Sequence, residues 1–120
     1  MENFRKLRVW QKAHALVRSI YKITLQFPDA EKFGLTSQMR RASISVSANI
    51  AEGSKRITNK DKRRYNIIAE GSLEEIKYYL ILSFDLKYLS AEQDRKLMES
   101  AREVGKLLSG YTRYIQRGIR

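Results

Sequence analysis

Basic side chains are the residues of this 120-residue chain whose type and spacing best support chemistry with a partner. The chain carries 24 lysines and arginines against 13 aspartates and glutamates, which gives a formal net charge of +11. Residues 1–64 hold 15 basic and 5 acidic side chains, whereas residues 65–120 hold 9 and 8. Clustered cations bind polyanions, of which nucleic acid is the commonest. The alternative is that these cations only keep the protein in solution.

Groups that could catalyse a reaction or hold a metal are few. The only histidine, His14, flanks an apolar stripe, where histidine is more often a packing residue than a ligand. Glu70, Glu74 and Glu75 could support acid–base chemistry, but carboxylates on a long helix are usually solvated or paired with lysine or arginine. No cysteine, Walker loop, Rossmann loop or nucleophile elbow is present. The sequence therefore predicts no enzyme, metal, cofactor or small-molecule substrate, and a hydrolase or nuclease is the weakest alternative.

Helices are the elements that must position these residues. Apolar residues at alternating intervals of three and four are typical of one buried helix face. Four such stripes occupy residues 9–27, 35–53, 65–89 and 97–115. One proline and six glycines also favour long helices over a turn-rich β fold.

Two local signals mark helix boundaries. Phe27-Pro28 ends the first stripe, because proline disfavours a helical conformation in the residue before it. Ser90 with Gln93 forms a capping-box pattern that predicts the start of the fourth helix. Short connections between long helices make each an antiparallel neighbour of the next. The predicted fold is all-α, a single antiparallel up-down four-helix bundle domain over residues 1–120.

The second stripe also fits another structure. Residues 42–50 alternate apolar and polar side chains, which is the pattern of a half-buried strand. A strand here would lack a partner, because no other segment alternates over a comparable length. Small side chains also suit a tightly packed helix, so we interpret the segment as helical.

The third stripe has more apolar residues than one helix face needs. It runs to about Leu89 through Tyr65, Ala69, Ser72, Ile76, Leu80 and Ser83. Residues 78–84 are apolar nearly all the way around the helix, which indicates an outer surface covered by a partner. Self-association is the simplest explanation, and we predict an oligomer interface that includes Tyr78, Ile81 and Leu82. The alternative is a helix buried at the centre of the monomer.

Five ordered motifs resemble a known family. They are FRKLRVWQKA at residues 4–13, Phe27-Pro28, LTSQMRRA at 35–42, NIAEG at 49–53 and AEGSLEE at 69–75. Together they resemble the bacterial four-helix-bundle proteins encoded by intervening sequences of 23S ribosomal RNA, over almost the whole chain. Ser47 departs from the pattern, because many members carry proline there. That departure bears only on whether the second helix is kinked.

The resemblance implies a ring-like homo-oligomer, usually a homopentamer, with no established enzymatic activity and an association with RNA. The chain is also similar in architecture to the accessory variability proteins of diversity-generating retroelements, which are basic pentamers that engage reverse transcriptase and nucleic acid. Three polar residues of the family motifs are Arg41, Asn49 and Glu52. We interpret them as satisfying one another between helices or across a subunit interface, because buried charges require partners.

The up-down topology places the start of the first helix, the second connection and the end of the fourth helix together. This basic end collects twelve predicted nucleic-acid-binding residues: Arg5, Lys6, Arg8, Lys55, Arg56, Lys60, Lys62, Arg63, Arg64, Arg113, Arg117 and Arg120. The opposite end is predicted to be close to neutral. A ring with cyclic symmetry would place every basic end on one rim, matched to phosphate backbones. Tyr65 could stack on a base there, although a tyrosine at a helix start more often packs.

The sequence therefore predicts a non-enzymatic, basic homo-oligomer that binds nucleic acid, with RNA favoured. The absence of cysteine fits the cytoplasm, and no apolar run is long enough to span a membrane. The alternative function is a protein-interaction scaffold that docks a protein partner such as a reverse transcriptase.

Overall fold

The structure, a computed structural model, describes residues 2–119 and consists of four α-helices and two short 3₁₀ turns. One turn, Asn3–Lys6, precedes the first helix, and the other, Asp29–Glu31, lies between the first two helices. The helices are α1 (Arg8–Thr24), α2 (Leu35–Ser54), α3 (Asn59–Asp85) and α4 (Ala91–Arg117). No strand occurs within these described residues. The helical interpretation of residues 42–50 is confirmed, and the strand alternative is wrong.

The helices form a bundle about 48 Å long and 22 Å wide. Each helix contacts its neighbours in sequence, and α1 also packs against α4, whereas the two diagonal pairs do not approach each other. On the facing sides of α2 and α3, Ser45 meets Ser72 and Met39 meets Ser83, so the two helices run in opposite directions. The architecture is the predicted antiparallel up-down bundle.

The core lies along the bundle axis and takes apolar residues from all four helices. Ile20, Met39, Ile76 and Leu108 are fully buried, one on each helix. Burying a side chain of this size contributes about 1.5–3 kcal/mol, so helix packing is the main stabilising term. Over residues 2–119, no helix has both the length and the apolarity needed to cross a membrane.

The buried face of α3 differs from the predicted stripe. Tyr65 and Ser72 are only half-buried and lie toward α2, where Tyr65 packs on Gly53 and Ser72 hydrogen-bonds to Ser45. Asn66 and Leu73, one position further along the chain, take the buried places instead. The predicted stripe placed Tyr65 in the core because of its aromatic ring. A tyrosine also packs well on the flank of a helix beside a glycine, and Tyr65 does so here.

The ends of the helices are set by local chemistry. Ser90 and Gln93 form the predicted capping box, with both reciprocal hydrogen bonds present. The prediction that the third helix continues to about Leu89 is wrong, because the helix ends at Asp85. Lys87 then adopts a left-handed backbone with φ of 66°. This turn returns Leu89 to the core as a buried loop residue.

The crossing of α2 and α3 depends on a glycine, which gives a testable prediction. A Cβ atom on Gly53 would lie 2.9 Å from the Cβ of Tyr65, closer than two such atoms pack. Overpacking costs about 1–3 kcal/mol, and alanine recovers about 1 kcal/mol of helix propensity. We therefore expect Gly53→Ala to lower the free energy of unfolding by on the order of 1 kcal/mol.

Gly71 on α3 is the matched control, because a Cβ there meets no atom within 4 Å. Gly71→Ala is expected to raise the free energy of unfolding by about 0.5–1 kcal/mol. Urea denaturation followed by circular dichroism measures both variants. Equal stabilisation by the two substitutions would show that the α2–α3 contact at Gly53 tolerates a methyl group.

Candidate nucleic-acid interface

The predicted basic end is formed by three segments that the structure brings together. Asn3 and Phe4, in the 3₁₀ turn before α1, border the same small cavity as Ser54 and Lys55 at the end of α2. Gly118, directly after α4, lies against the side chain of Asn59, the first residue of α3. The chain topology alone therefore located this end correctly.

The structure places eleven of the twelve predicted cations at this basic end. The 3₁₀ turn and the first residue of α1 carry Arg5, Lys6 and Arg8. The α2–α3 connection and the first two turns of α3 carry Lys55, Arg56, Lys60, Lys62, Arg63 and Arg64. The last two turns of α4 carry Arg113 and Arg117. Arg120 lies outside the described residues.

Acidic side chains neutralise only a small part of this charge. Arg5 pairs with Glu2 and Arg8 with Glu103, each at 3.9 Å, and Arg56 pairs with Glu52 at 2.9 Å. Such exposed pairs typically contribute about 0–1 kcal/mol. Within residues 2–119, the other eight cations have no acidic side chain within 4.0 Å. The basic end therefore keeps a positive potential that can attract phosphates.

The ring of Tyr65, which was expected either to pack or to stack on a base, lies beside two arginine side chains. The guanidinium groups of Arg56 and Arg64 lie 5.1 and 5.5 Å from the centroid of its ring, within cation–π distance. The ring therefore orients two arginines of the basic end. Base stacking on Tyr65 stays a prediction, and a partner base would have to compete with these two side chains.

The opposite end of the bundle holds a cluster of ion pairs at the start of α4. Arg95 contacts Glu92 at 2.6 Å and Glu99 at 2.9 Å. The hydrogen bond from Arg95 lowers the pKa of Glu92 and keeps it ionised. The Tyr88 hydroxyl donates a hydrogen bond to Glu31 at 2.9 Å, and this bond raises the pKa of Tyr88. At the basic end, by contrast, three of the eleven described cations pair with an acidic side chain.

The outer face of α3 carries exposed apolar side chains, as the sequence predicted. Tyr78 is 57% exposed and Ile81 is 51% exposed, while Leu82 is half-buried against the core. Ile67 and Ile68 are further exposed apolar residues of α3, nearer the basic end. The alternative of a centrally buried helix is wrong. The predicted oligomer interface at Tyr78, Ile81 and Leu82 is compatible with this exposure and stays a prediction.

The three polar motif residues all lie on α2 and make no hydrogen bond or ion pair with one another among the described residues. Asn49 donates to the backbone oxygen of Ser45 at 2.8 Å, and Glu52 accepts from Arg56 at 2.9 Å. Arg41 is exposed on the same helix. Among the described residues, the predicted contacts between Arg41, Asn49 and Glu52 within one subunit are therefore not present. Their predicted role across a subunit interface stays a prediction.

His14 is engaged in packing. Its ring stacks on Trp10 with centroids 4.9 Å apart and an interplanar angle of 9°. Across residues 2–119, no three histidine or carboxylate side chains gather closely enough to hold a metal ion.

Comparisons with known proteins identify relatives over most of the bundle. Residues 5–110 match the family described as 23S rRNA-intervening sequence protein. A crystal structure of a protein of unknown function from the S23 ribosomal protein family of Bacteroides thetaiotaomicron is 25% identical, with a TM-score of 0.78. That likeness covers 87% of this chain and 97% of the other. No curated protein matches the chain. Sequence and fold agree over most of the bundle, and the chain belongs to the 23S rRNA-intervening sequence protein family.

Proposed function

We propose that this protein is a non-enzymatic RNA-binding bundle that works in the cytoplasm as a homo-oligomer. The observation that carries the proposal is the basic end, where eight described cations have no acidic partner nearby. The family description adds a link to ribosomal RNA through the intervening sequence, and it names no enzymatic activity.

Binding at this end would be led by charge and shape. Lysine and arginine neutralise phosphates and release their counterions, which supplies most of the affinity of sequence-independent binding. The cations come from three separate segments of the chain, so they form a broad surface rather than one recognition helix. Such a surface positions a phosphate backbone and carries no base code of its own.

Oligomerisation would multiply this surface. A ring with cyclic symmetry orients every subunit alike, so all the basic ends would lie on one rim. The exposed apolar face of α3 supports a subunit contact, and the family resemblance supports five subunits. A rim of five basic ends would contact a long RNA at several points at once.

The proposal predicts a strong dependence of RNA binding on salt. The logarithm of the association constant should fall linearly with the logarithm of the salt concentration, with a slope near −0.7 for each phosphate neutralised on a single strand. Fluorescence anisotropy with a labelled ribosomal RNA fragment, between about 50 and 200 mM salt, measures this slope. A flat profile, or no binding at the lowest salt concentration, would overturn the proposal.

A scaffold that docks a protein such as a reverse transcriptase is the second candidate. The exposed apolar face of α3 favours it, because that face could receive a different protein rather than another copy. A pull-down after nuclease treatment separates the two functions. Recovery of a defined acidic protein by the nuclease-treated sample, together with absent RNA binding, would favour the scaffold.

A further inference from the structure

A cavity at the basic end is lined by two tyrosines as well as by cations. Cations alone would be enough to bind phosphates. The cavity has a volume of about 430 Å³ and lies between the start of α3 and the end of α4. We call it the tyrosine pocket and define it by Asn59, Lys62, Tyr111, Tyr114 and Arg117. Its volume falls in the range of about 300–1,000 Å³ that is usual for small-molecule sites.

We propose that the tyrosine pocket binds a single unstacked nucleotide of an RNA that lies on the basic end. The inference rests on the proposed function and deepens it. It names unpaired nucleotides, such as those of bulges, loops and single strands, as the preferred ligand of this surface.

Tyr114 provides the stacking surface. Its side chain is 71% exposed, although Tyr114 lies on a helix whose apolar face is otherwise buried. An exposed aromatic ring among cations is the feature that single-strand-binding proteins use to stack a base. Tyr111 forms a second, half-buried wall of the pocket. Burial raises the pKa of Tyr111. Its hydroxyl is protonated at neutral pH in any case and can donate a hydrogen bond.

The polar groups of the pocket match the other parts of a nucleotide. Lys62 and Arg117 supply positive charge for the phosphates on either side of an extruded base. The side-chain amide of Asn59 carries both a donor and an acceptor, which suits the edge of a base. Within residues 2–119, no carboxylate lines the pocket, so its charge favours an anionic ligand.

A larger cavity, also lined by residues of α3 and α4, shows what distinguishes the tyrosine pocket. That cavity, of about 640 Å³, mixes Glu70 and Glu74 with lysines and arginines. Glu70 accepts a hydrogen bond from Ser109, and Glu74 pairs with Lys77 at 2.8 Å. Its charges are partly satisfied within the chain and it has no aromatic lining, so it does not share the features of a nucleotide site.

The experiment compares two RNA hairpins that differ by one unpaired nucleotide. One hairpin carries a single bulged 2-aminopurine, and the other is fully paired. At one fixed low salt concentration, anisotropy measures both affinities, and 2-aminopurine emission reports stacking of the bulged base. We expect the wild-type protein to bind the bulged hairpin about tenfold more tightly and to quench its emission.

Variants of Tyr114 make the test specific. Tyr114→Ala should abolish the tenfold preference and the quenching without changing the affinity for the paired hairpin, whereas Tyr114→Phe should keep both. Phe33→Ala is the matched control, because Phe33 is an 89% exposed aromatic residue outside the basic end. Circular dichroism checks that each variant is folded.

The outcomes separate this inference from the proposed function. Equal binding of both hairpins by the wild type, or an equal loss on both with Tyr114→Ala, overturns the tyrosine pocket and leaves RNA binding intact. No binding of either hairpin at low salt overturns the proposed function itself.

Discussion

Replacing Lys60, Arg64 and Arg113 together by glutamine is expected to weaken RNA binding on the order of a hundredfold at low salt. All three side chains are exposed at the basic end. None has an acidic side chain within 4.0 Å among the described residues, so their charge is free to act on a phosphate. Each lost phosphate contact on a single strand should also lower the magnitude of the salt slope by about 0.7.

The matched control removes the same charge from elsewhere in the bundle. Lys22, Lys32 and Lys87 are exposed lysines outside the basic end. The triple glutamine variant of these lysines lowers the net charge by the same three units, and we expect affinity within about threefold of wild type. Anisotropy over a salt series, with identical RNA for all proteins, gives both affinity and slope. Equal losses in the two variants would show that total charge, rather than the basic end, controls binding.

The comparison of sequence with structure shows which features pattern alone can locate. Most core residues of α1, α2 and α4 followed from the spacing of apolar residues, because the residues on one face of a helix recur at a fixed period. The basic end followed from connectivity alone, since an up-down bundle has only two ends. Both inferences depend on repeating geometry and not on any particular side-chain contact.

The errors arose where a contact between two helices decides the outcome. Asn66 is 1% exposed although its type predicts a surface position, whereas Tyr65 stays half-buried because Gly53 leaves room for it on the flank of α2. Leu89 lies in a loop and is nevertheless buried, because the backbone turns at Lys87 through a left-handed conformation. No residue pattern in the sequence predicts this turn. The spacing of apolar residues predicts which face of a single helix is buried. It does not predict how the side chains of two helices adjust to each other where they pack.

Tyr114 was missed although a signal for it was present. It lies directly before the buried Ile115, about 100° away from it around α4, and directly follows Arg113. An exposed aromatic ring among cations is typical of surfaces that bind single-stranded nucleic acid. Its partners on α3 were beyond sequence analysis, because the register of α3 against α4 is set by packing such as that between Gly105 and Leu73.

Ile81→Glu is the second variant with a large expected effect, and it tests the assembly. Ile81 is 51% exposed on the outer face of α3, beside Tyr78. If this face is covered in the oligomer, the substitution buries an unpaired carboxylate, which costs several kcal/mol per interface. We expect light scattering coupled to gel filtration to show a mass near the 14.1 kDa of one chain, with helix content unchanged in circular dichroism.

Leu25→Glu is the control, because Leu25 is a 79% exposed apolar residue at the end of α1 and outside the predicted interface. It makes the same change of charge and should leave the oligomer mass unchanged. A monomeric wild type would refute the interface, and an Ile81→Glu protein with the wild-type mass would place the subunit contact elsewhere.

The same variant connects assembly to RNA binding. Ile81 lies 22 residues beyond the start of α3, about 33 Å along the helix from the basic end. A direct effect on phosphate contacts is therefore excluded by distance. Affinity for a long RNA should nevertheless fall by about 10²-fold, because the separate basic ends no longer act at a high effective concentration. Affinity for a hairpin short enough to contact one subunit should be unchanged, and an equal loss on both RNAs would show that Ile81→Glu disturbs the bundle itself.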